Sequence, residues 1–228
     1  ESIGRNKTQI KGTVHISIGS AFYHYLAADL LIAFHRSYPQ VDLTVTENSV
    51  HTALALLEND KTNLGVVYAN KTKNQRFEED LQERELAFIS LGEVTHDLFV
   101  GLSDRLLGQK EISMAEVSEL QLIDCESGWN NIFRAAGYPL LNKMITVSER
   151  SVQKQLVRQG IGAALLPKWK SSGYLPQTEK TLHRITIFDA KDANQVKLYL
   201  VYAQNKPLSV LEREAIRLVK AAYAKQTY

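Results

Sequence analysis

The chain has 228 residues, 27 Lys and Arg against 25 Asp and Glu, a formal net charge of +2 and one cysteine. That length holds one large domain or two small ones, and the near-neutral charge without a basic block argues against a nucleic-acid footprint within the chain. The lone cysteine excludes an internal disulfide and points to a reducing, cytoplasmic setting, while no apolar run approaches the ~18 residues of a membrane span.

Residues 1–11 are polar and read as the end of a linker, and a start at Glu1 rather than Met reads as a fragment or processed chain. GTVHISIG (12–19) alternates Val14, Ile16 and Ile18 against His15 and Ser17, the period of a strand. The following stretch spaces Leu26, Leu30, Phe34 and Tyr38 as a helix that Pro39 ends. VDLTVTE (41–47) alternates again, Ser49 is a good N-cap for a helix carrying Leu54 and Leu57, and NLGVVYA (63–69) is a short apolar strand of the buried parallel kind. The first 70 residues therefore predict β-α-β-α-β with right-handed crossovers. NKTKNQRFEEDLQER (70–84) reads as a long polar connection.

The pattern then restarts. ELAFISLGE (85–93) and THDLFVGL (95–102) read as two strands, ISMAEVSEL (112–120) as a short helix with Ser113 near its cap, and QLIDC (121–125) as a strand. NNIFRAAG (130–137) reads as a helix closed by Gly137, KMITVS (143–148) as a strand, SVQKQLVRQ (151–159) as a helix and IGAALLP (161–167) as a strand. LHRITIF (182–188) and VKLYLVYA (196–203) follow as strands, before an amphipathic helix over 208–225 with Leu211, Ala215, Leu218 and Ala222 on its apolar face and Ser209 near its cap. A chain that leaves one βαβ-type half, builds another and returns predicts two lobes joined by crossing strands.

LVRQGIGAALLP (156–167) holds a Gly-x-Gly, but in the order helix, glycines, strand. A dinucleotide fingerprint needs strand, glycines, helix and a third glycine where Leu165 stands. Gly160 reads instead as a helix C′ residue in the left-handed conformation, and Gly162, Ala163 and Ala164 as small residues that let a strand pack closely. No serine-hydrolase elbow occurs. Cys125 reads as a small buried hydrophobe; as a nucleophile it would need His96 or His51 as partner. The histidines at 15, 24, 35, 51, 96 and 183 show no metal-ligand spacing, so neither a metal nor another cofactor is expected.

What remains is binding. In parallel α/β sheets ligands sit beyond the carboxyl ends of strands, where helix N-termini offer free N–H groups and suit a carboxylate. The loops at those ends carry Ser20, Ala21, Phe22 and Tyr23; Asn48 and Ser49; Thr95 and His96; Cys125, Glu126, Ser127 and Trp129; and Ser148, Glu149, Arg150 and Ser151. Each serine either faces a ligand or caps a helix, and Phe22, Tyr23 and Trp129 serve equally as cleft walls or as core. The residues leave both open.

Three passages together resemble a known family. KGTVHISIG with YLAADLLIAFHRSYPQVDLTV, IFRAAGYP, and LVRQGIGAALLP are similar, in order and spacing, to the effector-binding domain of LysR-type transcriptional regulators over about residues 12–223. Ala28 stands where that family usually has Pro, and Asn63 where it often has Asp. The resemblance implies an α/β, type II periplasmic-binding-protein-like fold of two Rossmann-like subdomains joined by crossover strands: 12–84 with 190–228, and 85–189. It implies an effector pocket between them lined by Ser20 and its neighbours, Asn48, Ser49, Thr95, Ser127 and the Ser148–Arg150 turn. It also implies DNA contact only through an N-terminal winged helix-turn-helix that this chain lacks, antiparallel pairing of two such domains, and a tetrameric full-length protein. The expectation is therefore a non-enzymatic, cytoplasmic bacterial sensor domain for a small, carboxylate-bearing effector. The alternatives are a free-standing solute-binding protein of a transporter and, last, an enzyme using Cys125 or His96.

Overall fold

The computed structural model describes residues 10–125, 128–139, 144–169 and 181–226. The first half runs β1 (Gly12–Gly19), α1 (Ser20–Ser37), β2 (Val41–Asn48), α2 (Val50–Glu58) and β3 (Leu64–Asn70), as its periodicity predicts. Tyr38 closes α1, its N–H donating to Phe34 O at 2.7 Å. Ser49 caps α2, its Oγ accepting from Thr52 N–H at 3.1 Å.

Two expectations are corrected. Residues 70–84 are not an open connection: a 3₁₀ turn (Lys71–Lys73) leads into α3 (Asn74–Glu83). Phe77 and Leu81 are the helix's apolar positions, one turn apart, and they lie on a core face while the other side is solvated. Two apolar residues in ten are too few for the hydrophobic pattern to show through. Residues 85–93 and 95–102 are not two strands but one, β4 (Leu86–Gly101). Gly92 and Glu93 interrupt the apolar run, yet pairing continues through them with a register shift opposite Leu198 and Tyr199.

The second half contains β5 (Glu111–Ile112), α4 (Met114–Ser118), β6 (Leu122–Cys125), α5 (Gly128–Ala135), β7 (Met144–Val147), α6 (Arg150–Arg158), β8 (Ala163–Pro167) and β9 (Leu182–Ile187). The chain then returns through β10 (Gln195–Ala203) and ends in α7 (Val210–Gln226). Ser113 and Glu116 form a capping box on α4. No helix among the described residues is long and apolar enough to cross a membrane.

One hydrogen-bonded path orders the strands β2-β1-β3-β10-β4-β8-β6-β7, with β9 against β4 and β5 against β9. Strands β1, β2 and β3 are parallel, as are β6, β7 and β8. Strand β10 is antiparallel to both β3 and β4. Residues Leu86–Thr95 of β4 pair with β10, whereas His96–Gly101 pair with β8 and β9. One strand thus belongs to both halves.

Each half is a sheet with helices on both faces. In the first, Val14, Ile16 and Ile18 of β1 pack under Leu26, Leu30 and Phe34 of α1 and Ala215, Val219 and Ala222 of α7. The opposite face holds Leu54 and Leu57 of α2 with Leu81 of α3. In the second half, Ala163 and Leu165 of β8 face Trp129 and Phe133 of α5, while Ala164 and Leu166 face Val157 of α6. That alternation explains the continuous apolar run of β8: both its faces are covered.

Gly160 and Gly162 do the packing work their order predicts. Gly160 sits at φ +71°, donates its N–H to Val157 O at 2.9 Å, and is followed by Ile161 N–H donating to Leu156 O at 3.1 Å. That is the doubly bonded helix stop with a left-handed C′ residue. At Gly162 an added Cβ would collide with Gln121 O, a backbone atom that cannot swing aside. Gly162→Ala is therefore expected to lower stability by about 1–3 kcal/mol, read as a lower urea midpoint at an unchanged denaturant slope.

Candidate ligand-binding site

The carboxyl ends of β1 and β2 in one half, and of β6 and β7 in the other, open on a shared cleft of about 610 Å³. That volume lies within the range of small-molecule sites. Ala21 in the first turn of α1, Ser49 at the cap of α2, and Tyr68 and Phe77 line it from the first half. Asp124, Ile132, Arg150 and Gln153 line it from the second. His96 and Val196 on the crossing strands, with Asn194 just before β10, complete the lining.

Arg150 is the first residue of α6 and is only 7% exposed. Its Nη1 donates to Gln153 Oε1 at 3.2 Å and approaches Leu165 O at 3.5 Å, while among the described residues its Nε has no hydrogen-bond partner. Gln153 is locked in turn by donating from Nε2 to Ile123 O at 2.8 Å. Asp124 is the penultimate residue of β6 and accepts from Trp129 N–H at 3.2 Å, which also serves the start of α5. Asn194 clamps His96: its Nδ2 donates to His96 O at 2.8 Å, and its own carbonyl accepts from His96 N–H at 2.7 Å.

Of the residues singled out from sequence, Ala21, Ser49, His96, Cys125 and Arg150 line the cleft. Ser20 is buried at the start of α1. Phe22 packs edge-on against Trp169 at 4.9 Å and Tyr68 at 5.2 Å, so it is core, with Tyr23 half-buried beside that core. Asn48 turns its amide to Ser17 Oγ and Thr46 Oγ1, both at 2.9 Å. Thr95 pairs with Gln195, and its carbonyl accepts from Lys168 N–H at 2.7 Å. Ser148 and Glu149 are exposed, with Glu149 accepting from Ser151 Oγ at 3.2 Å. Ser127 lies outside the described residues, as does Glu126. Trp129 is fully buried core. Sequence reading missed Asp124, Gln153 and Asn194. All three are buried polar residues in otherwise apolar surroundings, and Asp124 in the strand QLIDC was the one visible signal. Among the described residues no group of three His, Cys, Asp or Glu could hold a metal ion.

A family profile described as the LysR substrate binding domain matches residues 7–224. The uncharacterized HTH-type transcriptional regulator YvbU of Bacillus subtilis (strain 168) is 23% identical over 177 residues, which is 76% of this chain and 56% of that protein. The chain thus spans little more than half of that relative. The effector-binding domain of QuiR in complex with shikimate superposes with a TM-score of 0.70 at 13% identity, covering 95% of this chain and 99% of that one. The regulatory domain of Synechocystis PCC6803 CcmR in complex with 2-PG gives 0.70 at 16% identity, covering 93% and 97%. At such identities the likeness is one of fold, the two-lobed type II periplasmic-binding-protein-like arrangement of α/β subdomains.

Burial sets the charge states around His96. His96 is pushed down to about 3, first by desolvation and then by the nearby Arg150 cation, against a hydrogen bond to the Asn194 backbone. It is neutral in the fold. Asp97, next along β4, is pushed up by burial, opposed by Arg184, whose Nε lies 3.7 Å from Oδ2, and by Lys168, and among the described residues neither of its carboxylate oxygens has a hydrogen-bond partner. A histidine whose folded value lies below its unfolded value of ~6.5 leaves the unfolded state binding more protons, so stability rises with pH across that interval. The domain is expected to lose stability as pH falls from about 6.5 towards about 3. Asp97 opposes this, because protonating it relieves a buried charge. His96→Gln is expected to flatten the acid limb of melting temperature against pH, by the equivalent of a few kcal/mol at its acid end.

Proposed function

This chain belongs to the LysR substrate-binding-domain family, and on that premise we propose that it is the ligand-sensing regulatory domain of a bacterial, cytoplasmic transcriptional regulator. Residues 12–84 with 190–228 are assigned to one lobe and 85–189 to the other, with the Leu86–Thr95 part of β4 paired to β10 of the first. A small, carboxylate-bearing effector enters the cleft between them, and DNA is contacted through a winged helix-turn-helix in the longer protein. The effector acts by its differing affinity for two arrangements of the lobes.

The observation that carries this reading is Arg150. An arginine 7% exposed, lining a cavity, with an unpartnered Nε, is a desolvated cation awaiting a counter-ion. A planar carboxylate matches its fork of donors and restores the charge balance that burial removes. Ala21 adds a second anion-favouring feature, since the N-cap of α1 is Gly19, which has no side chain to cap the free N–H groups of the first turn. The complexes of QuiR with shikimate and CcmR with 2-PG support small-effector binding by this fold.

Pairing of two such domains is the expected assembly. Val152 and Ile161, 41% and 47% exposed, line a groove beside α6 together with Gln155, Leu156 and Gln159, the face proposed to meet a second copy. Val152→Glu together with Ile161→Glu is expected to shift sedimentation of the domain from dimer to monomer without changing its circular dichroism.

Calorimetry against aliphatic, aromatic and hydroxy carboxylates is expected to yield a binder that Arg150→Gln weakens by about 100-fold. Thr95→Ala, outside the cleft lining, is expected to change its affinity by less than about threefold. Equal affinity of the wild type and Arg150→Gln for every carboxylate that binds overturns the reading.

A further inference from the structure

We propose that the effector is a zwitterion: an amino acid whose ammonium group meets Asp124 while its carboxylate meets Arg150. This rests on the cleft reading above and names the chemical class of its occupant. Asp124 is 3% exposed, lines the same cavity as Arg150, and among the described residues accepts only the Trp129 N–H bond at 3.2 Å. No described Lys, Arg or His forms an ion pair with it, and Arg150 forms none with any described carboxylate. Two opposite charges therefore line one cavity without joining.

Gln153 keeps them apart. Its amide holds Ile123 O, one residue before Asp124, and its carbonyl oxygen accepts Arg150 Nη1. The guanidinium is tethered to the Gln153 side chain rather than to the carboxylate at the strand end. Each buried charge is costly alone, and pairing them is the usual remedy. Held separate, they are complementary to a guest that carries both signs on groups attached to one carbon. An anion without an ammonium group would satisfy Arg150 but meet the field of Asp124 in a low-dielectric site. Discrimination follows from leaving a buried polar group unpaired.

The rest of the lining fits the side chain of such a guest. Tyr68 and Phe77 from one lobe and Ile132 and Leu165 from the other give an apolar wall. An apolar or aromatic amino acid is the class that uses both features. The competing guest is a dianion spanning Arg150 and the rim cations Lys73 and Arg76. Those two are exposed, so salt and water screen them, and a dianion leaves Asp124 uncompensated.

The test is calorimetric titration of the domain with the twenty protein L-amino acids and with matched half-analogues. L-Phenylalanine is set against 3-phenylpropanoate and 2-phenylethylamine, and L-leucine against 4-methylpentanoate and 3-methylbutylamine; phenylsuccinate represents the dianion. At least one apolar amino acid is expected to bind about tenfold or more tighter than both of its half-analogues. Asp124→Asn is expected to remove about tenfold of that affinity while leaving the deaminated acid within about twofold. Should Asp124→Asn not fold, the matched ligands on the unaltered domain decide the matter alone. The proposal is overturned if a deaminated acid or phenylsuccinate binds as tightly as the best amino acid, or if no amino acid binds. Carboxylates that bind through Arg150 regardless of an ammonium group would sink the zwitterion yet leave the effector cleft standing. Carboxylates indifferent to Arg150→Gln would take down both.

Discussion

Strand β4 has to satisfy its backbone in two places. Its first ten residues exchange hydrogen bonds with β10, and its last six with β8 and β9. A buried N–H or C=O left unpaired costs about as much as a lost hydrogen bond, so neither set can be released cheaply. The two halves are consequently fixed edge to edge along one strand, and their parallel strands deliver their carboxyl ends to the same cleft. Ala21, Ser49, Asp124 and Arg150 come from four different strand–helix junctions, yet they line one cavity because β4 and β10 hold the halves in register. The register shift opposite Leu198 and Tyr199 lies in this shared segment, where pairing is most easily bent.

Within the cleft, the polar groups that count are the ones secondary structure does not use up. Ser49 Oγ accepts the Thr52 N–H, Asn48 Nδ2 serves Ser17 and Thr46, and Glu149 takes the Ser151 hydroxyl. These short side chains close local bonds at helix starts and strand ends, as their reach dictates. Arginine is long enough to leave its own helix start and enter the cavity, and it does so at Arg150, where Gln153 Oε1 at 3.2 Å and Leu165 O at 3.5 Å are the acceptors among the described residues. The same logic singles out Asp124, whose strand is too short and too buried to offer it solvent.

This difference also explains what could be read from the sequence. Period-two alternation at Val14, Ile16 and Ile18, and helical spacing from Leu26 to Phe34, are signatures of burial on one face, and burial decided those elements. The order of helix, glycine and strand around Gly160 was enough to separate a helix stop from a phosphate loop, because each conformation demands glycine at a different place. The helix α3 was hidden because two apolar side chains suffice to anchor it, and the unity of β4 because pairing partners 100 residues away hold it together across Gly92. The cleft was legible only as a set of loops. Which side chain in each loop turns inward depends on distant atoms: Gln153 on Ile123 O, Asn194 on His96, Phe22 on Trp169. No local pattern encodes those.

The halves also touch away from the cleft. Trp169, just beyond β8, lies 4.9 Å from Phe22, 5.2 Å from Tyr25 and 5.9 Å from Tyr223, ring centre to ring centre, and the Lys154 ammonium of α6 sits 5.1 Å over the Tyr25 ring. Each aromatic pair contributes about 0.5–1.5 kcal/mol beyond its buried area, so together they favour the lobes drawn in over α1. Drawing the lobes together also strips water from Arg150, Asp124 and the neutral His96, which opposes closure. The two contributions oppose each other. On the proposed reading, a guest that neutralises the desolvated charges would act on the opposing contribution. That is the differential affinity a ligand needs if it is to shift a conformational population rather than merely occupy a pocket.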